Sequence, residues 1–220
     1  MAGPRDRSGP PLKTVGLVGG SFNPAHSGHR RLSLAAIDAL GLDELWWLVS
    51  PGNPLKASTG MASLEARVAR ARAVARRSPI RVTAIEAQLG TRYTIDTVRA
   101  LVRRFPRHRF IWIIGADNLD QFHRWRQWRA LARTVSIAVM VRPAYIGLAA
   151  ASPATAWLRR FVRPQPDIRN WTRWRPPAIV LLHMRPDPSS ATAIRRADPD
   201  WHRRYPSTPA TRAALHRRLP

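Results

Sequence analysis

Apolar residues fall into two rhythms along this chain. Short runs at 14–18, 44–49, 80–85, 109–114, 136–141 and 178–182 have the length and near-continuous apolar character of buried strands. Between them, apolar positions recur at three- and four-residue spacing. Residues 28–40 carry Leu32, Leu34, Ala35, Ala36, Ala39 and Leu40, with Gly41 as a stop. An alanine- and arginine-rich helix is expected at 63–77, capped by Ser63, and another at 94–105 with Ile95, Val98, Leu101 and Val102 on one face and Thr94 as its cap. A helical stretch is expected through 119–132, and short helices at 154–161 and 211–218. Residues 142–177 hold several prolines and show no clear period. Strands alternating with helices at this spacing predict an α/β fold: a mainly parallel sheet, right-handed crossovers and helices on both faces. In such sheets ligands sit beyond the carboxyl ends of the strands, so the residues that follow each strand are the ones to inspect.

The 220 residues suit one ordinary domain. Residues 14–196 are expected to form it, with a flexible polar segment at 1–13 and a basic tail at 197–220. Hydrophobic residues make up 45% of the chain, too many for a disordered one. The absence of cysteine excludes disulfides, thiolate metal sites and thiol catalysis. No apolar run approaches the roughly 20 residues that span a bilayer, and a soluble, cytoplasmic protein is expected. The net charge is +24, and the only lysines are Lys13 and Lys56. That charge has two readings, a polyanionic partner or a compositional habit shared with abundant alanine and proline. The arginines are spread along the chain rather than gathered in a stripe, so no specific nucleic-acid partner is expected.

The loop after the first strand reads Gly19-Gly20-Ser21-Phe22-Asn23-Pro24-Ala25-His26-Ser27-Gly28-His29. It contains neither G-x-G-x-x-G nor G-K-[ST]. Glycines allow close backbone approach, and amides ahead of a helix start suit an anion. His26 and His29 share one face of the first helical turn, where imidazole donors stabilise charge that develops on phosphate oxygens. After the second strand, Pro51-Gly52-Asn53-Pro54-Leu55 leads to Lys56, either a mobile point charge for phosphate or a solvated loop lysine. Asp117 follows the fourth strand within Gly115-Ala116-Asp117-Asn118-Leu119, where a carboxylate can accept from ribose hydroxyls. Trp125 and Trp128 come next; an indole can stack on a pyridine ring, and Trp128 reads as core. Near the end stands Ser189-Ser190-Ala191-Thr192-Ala193-Ile194-Arg195, whose arginine suits triphosphate oxygens.

These elements together resemble the nicotinate-nucleotide adenylyltransferases of the H-x-G-H nucleotidyltransferase superfamily. The first loop resembles their G-G-S-F-x-P-x-H-x-G-H signature, and Lys56 ends a segment similar to their proline-rich loop. Arg92-Tyr93-Thr94-Ile95-Asp96-Thr97 resembles their Y-T-I-D-T element, and Asp117 to Trp125 their G-x-D-[SN]-L…W pattern. Ser190, Thr192, Ile194 and Arg195 match I-S-S-T-x-I-R, with Ala191 in place of the second serine and Ser189 in place of the isoleucine. The resemblance spans residues 14–195 and implies a Rossmann-like nucleotidyltransferase fold. It implies that His26, His29, Gly20, Ser21 and Phe22 meet the ATP phosphates, that Thr94 meets a nicotinate carboxylate and that Trp125 stacks on the pyridine. It also implies AMP transfer from ATP to nicotinate mononucleotide, with Mg2+ riding on the phosphates and no metal site of the protein's own. Two alternatives stay open: another acceptor such as nicotinamide mononucleotide, or a basic RNA-binding protein on the same fold.

Overall fold

The computed structural model describes residues 12–52, 60–141, 152–183 and 189–215. Six strands, β1 (Lys13–Gly20), β2 (Glu44–Val49), β3 (Ile80–Thr83), β4 (His108–Gly115), β5 (Ser136–Val141) and β6 (Ile179–His183), form one parallel sheet in the order β3-β2-β1-β4-β5-β6. The chain therefore builds outward in one direction from β1 and then in the other from β4. That reversal leaves a crevice between the carboxyl ends of β1 and β4.

Helices cover both faces. On one side α4 (Thr94–Arg104), α6 (Trp128–Thr134) and α7 (Pro153–Leu158) bury Ile95, Val98, Leu101, Leu131 and Leu158 against Val15, Leu17, Trp46, Trp112 and Ile114. On the other, α1 (Ser27–Leu40) and α2 (Leu64–Ala75) pack Ala36, Leu40, Val68 and Ala71 on Leu45, Trp47, Ile111 and Ile113. Along β4, Phe110, Trp112 and Ile114 serve one core while Ile111 and Ile113 serve the other, which explains the uninterrupted apolar run. Gly41 takes φ 62 at the end of α1, and its amide donates to Asp38 and Ile37 carbonyls, as the stop signal required.

Three local expectations are corrected. The third strand ends at Thr83, and Ile85 opens α3 (Ile85–Leu89) instead of closing the strand. A buried isoleucine satisfies either element, so its apolarity carried no choice between them. The cap of α4 is Tyr93, which makes no side-chain capping bond, and Thr94 is the first helical residue. The stretch at 119–132 breaks into α5 (Ala116–Gln121), a 3₁₀ turn at Phe122–Arg124, and α6. Trp125 is extended there (ψ 141) and Gln127 is left-handed (φ 49), which no continuous helix allows. Ser63 does cap α2, accepting from the Ala66 amide.

Beyond residue 197 the chain folds back on the body. Trp201 is buried, the Tyr205 hydroxyl accepts from Arg70 at 3.0 Å, and α9 (Pro209–Leu215) lies against α2. Among residues 152–177, a 3₁₀ segment at Gln165–Arg173 anchors itself through buried Trp171, whose indole donates to the Leu40 carbonyl at 3.0 Å. Residues 1–11, and with them most of the predicted lead segment, lie outside the described residues. No described helix is long and apolar enough to cross a membrane.

Candidate active site

A cavity of about 610 Å³ opens over the carboxyl ends of β1 and β4. It brings together Gly20, Ser21, Phe22, His26, His29, Thr94, Asp117, Trp125, Thr192 and Arg195, residues up to 175 positions apart that were singled out from sequence. Ser190 is placed differently. It caps α8 (Ala191–Ala197), accepting from the Ala193 amide, and lines a neighbouring open groove that shares His26. Lys56 lies outside the described residues.

The two histidines cap α1 for each other. His26 Nδ1 accepts from the Gly28 amide at 3.2 Å, and His29 Nδ1 accepts from the His26 amide at 3.3 Å. An imidazole that accepts at Nδ1 carries its proton on Nε2. The cap therefore sets both tautomers so that each ring is an Nε2–H donor beside the cavity, with the ring centroids 3.9 Å apart. Phe22 braces His29. Its backbone is left-handed (φ 46), and its buried ring stacks on Trp47 at 5.0 Å and tilts against His29 at 5.0 Å. Phe22 thus shapes the site with a packed ring, and its strained backbone fixes the turn.

The loops around this cap are tied by residues that sequence inspection passed over. Arg67 is 1% exposed and donates to the carbonyls of Ala62 (2.9 Å), Ser21 (2.7 Å), Ser50 (2.6 Å) and Pro51 (3.3 Å). Burial pushes its guanidinium down to about 10, which leaves it charged at neutral pH. One buried cation thereby joins the loop after β1 to the loop after β2. Asn23 accepts from the Ala62 amide and donates to the Gly60 carbonyl, both at 3.2 Å. Its own carbonyl accepts from Arg195 at 2.5 Å, and Arg195 also reaches Thr192 Oγ1 at 3.2 Å. The arginine expected at phosphate is thus fixed to the glycine loop that would hold the same phosphates.

On the β4 side, Gly115 caps α5, and a Cβ there would collide with Asp117 Oδ1. The glycine is what lets the carboxylate fold back over the strand end. Trp125 is half-buried, edge-on to Trp112 at 6.3 Å and tilted on Phe122 at 5.3 Å, with Trp128 behind Phe122 and clear of the cavity lining. Glu86 of α3 also lines the cavity. Burial raises its carboxyl to about 7, against hydroxyl contacts from Ser50 and Thr97 that favour the charged form.

Of these extra residues, Arg67 carries a faint signal in the sequence and Glu86 carries none. Arg67 shares the helical phase of buried Ala71 and Ala75, an odd place for a surface arginine. Glu86 follows an apolar run, and nothing local distinguishes it from a solvated acid.

Residues 17–197 match the family described as cytidylyltransferase-like. A probable nicotinate-nucleotide adenylyltransferase from Erythrobacter litoralis (strain HTCC2594) is 63% identical over 193 residues, covering 88% of each chain. One from Parvibaculum lavamentivorans is 50% identical over 186 residues, covering 84% of this chain and 92% of the relative. The structure of Plasmodium falciparum nicotinic acid mononucleotide adenylyltransferase complexed with NaAD superposes with a TM-score of 0.61, covering 92% of this chain and 94% of that one. Its 16% identity makes that likeness one of fold. With more than four-fifths of its length matched and the signature loop built into the cavity, the chain belongs to the cytidylyltransferase-like family, among the nicotinate-nucleotide adenylyltransferases.

Proposed function

We propose that this protein transfers the adenylyl group of ATP to nicotinate mononucleotide, giving nicotinate adenine dinucleotide and pyrophosphate in the cytoplasm. The observation that carries the reading is the reciprocal histidine cap, two Nε2–H donors at the start of a 14-residue helix, in one cavity with Arg195, Asp117 and Trp125. A 5′-phosphate oxygen of the mononucleotide attacks the α-phosphorus of ATP in line. The new P–O bond forms as the bond to the bridging oxygen of pyrophosphate breaks. Both reactants bring their own reacting groups, so the protein supplies alignment and charge neutralisation.

His26 and His29 donate to α- and β-phosphate oxygens, aided by the α1 dipole. Arg195 and Thr192 hold the triphosphate, Asp117 accepts from a ribose, and the exposed face of Trp125 receives the pyridine. Lys56 is assigned to phosphate on the resemblance alone. The carboxylates lining the cavity among the described residues are Asp117 and Glu86, and no described cluster of three metal-binding side chains exists. That donor set fits a Mg2+ ion that keeps most of its waters and enters with ATP. The ion would neutralise charge on the phosphates.

The test is pyrophosphate release from ATP and magnesium with nicotinate mononucleotide and nicotinamide mononucleotide side by side. Preferential use of the nicotinate form is expected. Release with neither acceptor would refute the reading.

A further inference from the structure

We propose that Arg126, braced on the ring of Tyr93, is a specificity residue that selects a ring carboxylate over a ring carboxamide in the acceptor nucleotide. The inference rests on the adenylyl-transfer reading above.

Arg126 follows Trp125 directly, and both line the cavity. The turn that presents them is held from two sides. Trp128 donates its amide to the Trp125 carbonyl at 3.2 Å, and Gln127, left-handed at φ 49, accepts through Oε1 from Arg99 of α4 at 3.3 Å. That turn is therefore moored to the helix whose first residue is Thr94. Across the cavity mouth, the Arg126 guanidinium carbon lies 4.6 Å from the Tyr93 ring centroid, and that of Arg92 lies 5.9 Å from the same centroid. A ring face restrains a guanidinium without engaging its N–H edges, which stay available to a planar acceptor. Among the described residues, neither Arg92 nor Arg126 forms an ion pair. Two cations thus flank the place where a pyridine stacked on Trp125 would present its substituent.

The chemistry of the two acceptors differs at that substituent. A carboxylate offers two acceptor oxygens and a full charge to a donor-only guanidinium. A carboxamide offers one oxygen and an NH2 group that faces the guanidinium donor to donor. The amides at the start of α4 accommodate a carbonyl oxygen from either form, so they discriminate less. Arg126 is exposed, so its influence should weaken as salt rises.

The experiment compares kcat/KM for nicotinate and nicotinamide mononucleotides in wild type, Arg126→Gln and Arg126→Lys. Arg129→Gln serves as control, removing a cation that sits over Trp128 outside the cavity. Arg126→Gln should cut the preference for the nicotinate form about tenfold, through KM rather than kcat. Arg126→Lys should recover part of it, and Arg129→Gln should keep the wild-type ratio. A preference within about twofold of wild type in Arg126→Gln, or equal losses for both acceptors, overturns the inference. Wild-type enzyme that uses both forms equally also overturns it, while one that uses neither overturns the underlying reading itself.

Discussion

Glu86→Gln offers a quantitative test of how the site is built. Glu86 is 7% exposed, and burial holds its carboxyl at about 7 against a normal value of 4.5. The hydroxyls of Ser50 and Thr97 favour the charged form and oppose the shift, but burial is the larger effect and the carboxyl stays raised. The folded state therefore keeps this proton over a range in which the unfolded chain has released it. Below pH 4.5 both states hold it, and the group's stabilising contribution is complete. As pH rises toward 7 that contribution is lost, by about 3 kcal/mol in all, and above 7 the loss is constant. Glutamine mimics the protonated carboxyl and has no such slope. Urea unfolding of both proteins at several values between pH 5 and 8 isolates the effect, because the lowered carboxyls of Asp43 and Glu44 are common to the two. The variant should gain on wild type steadily with pH, by roughly 2–3 kcal/mol across that range. A difference that stays flat within about 0.5 kcal/mol would refute the argument.

Three substitutions probe the remaining parts of the site. His29→Ala should lower kcat by about 10²–10³ while costing only about 1 kcal/mol of stability from the helix cap, and near-normal turnover in steady-state assays would remove the histidine pair from the chemistry. Gly115→Ala places a methyl against Asp117 Oδ1 at an ordinary backbone angle (φ −75), so melting should hardly change while kcat/KM falls about 10- to 100-fold as the carboxylate swings away. Unchanged kcat/KM would show that Asp117 does not meet a nucleotide in that pose. Arg67→Met leaves the carbonyls of Ser21, Ser50 and Ala62 without their donor and should cost about 3 kcal/mol or more, a fall in Tm of roughly 10 °C by calorimetry; a smaller loss would mean that water replaces the guanidinium.

What was legible in the sequence is what acts locally. The H-x-G-H spacing alone puts His26 and His29 on one helical turn, and the same short stretch closes the reciprocal cap that sets their tautomers. The strand runs were legible for a similar reason: a strand buried on both faces needs apolar residues at every position, whatever its partners are. The illegible parts depend on partners far along the chain. Arg67 meets Ser21 across 46 positions, and Arg195 meets Asn23 across 172. In a chain of 37 basic residues, the helical phase that Arg67 shares with Ala71 and Ala75 is only a faint local mark of burial, and it names none of the carbonyls that the guanidinium meets. Glu86 and Arg126 pose the same problem, since the environment that gives each its role comes from other loops. The signature residues supply the reacting surface, and the distant ties decide how rigidly it is held. Substitutions in the first group should therefore act mainly on turnover, and those in the second on stability and acceptor choice.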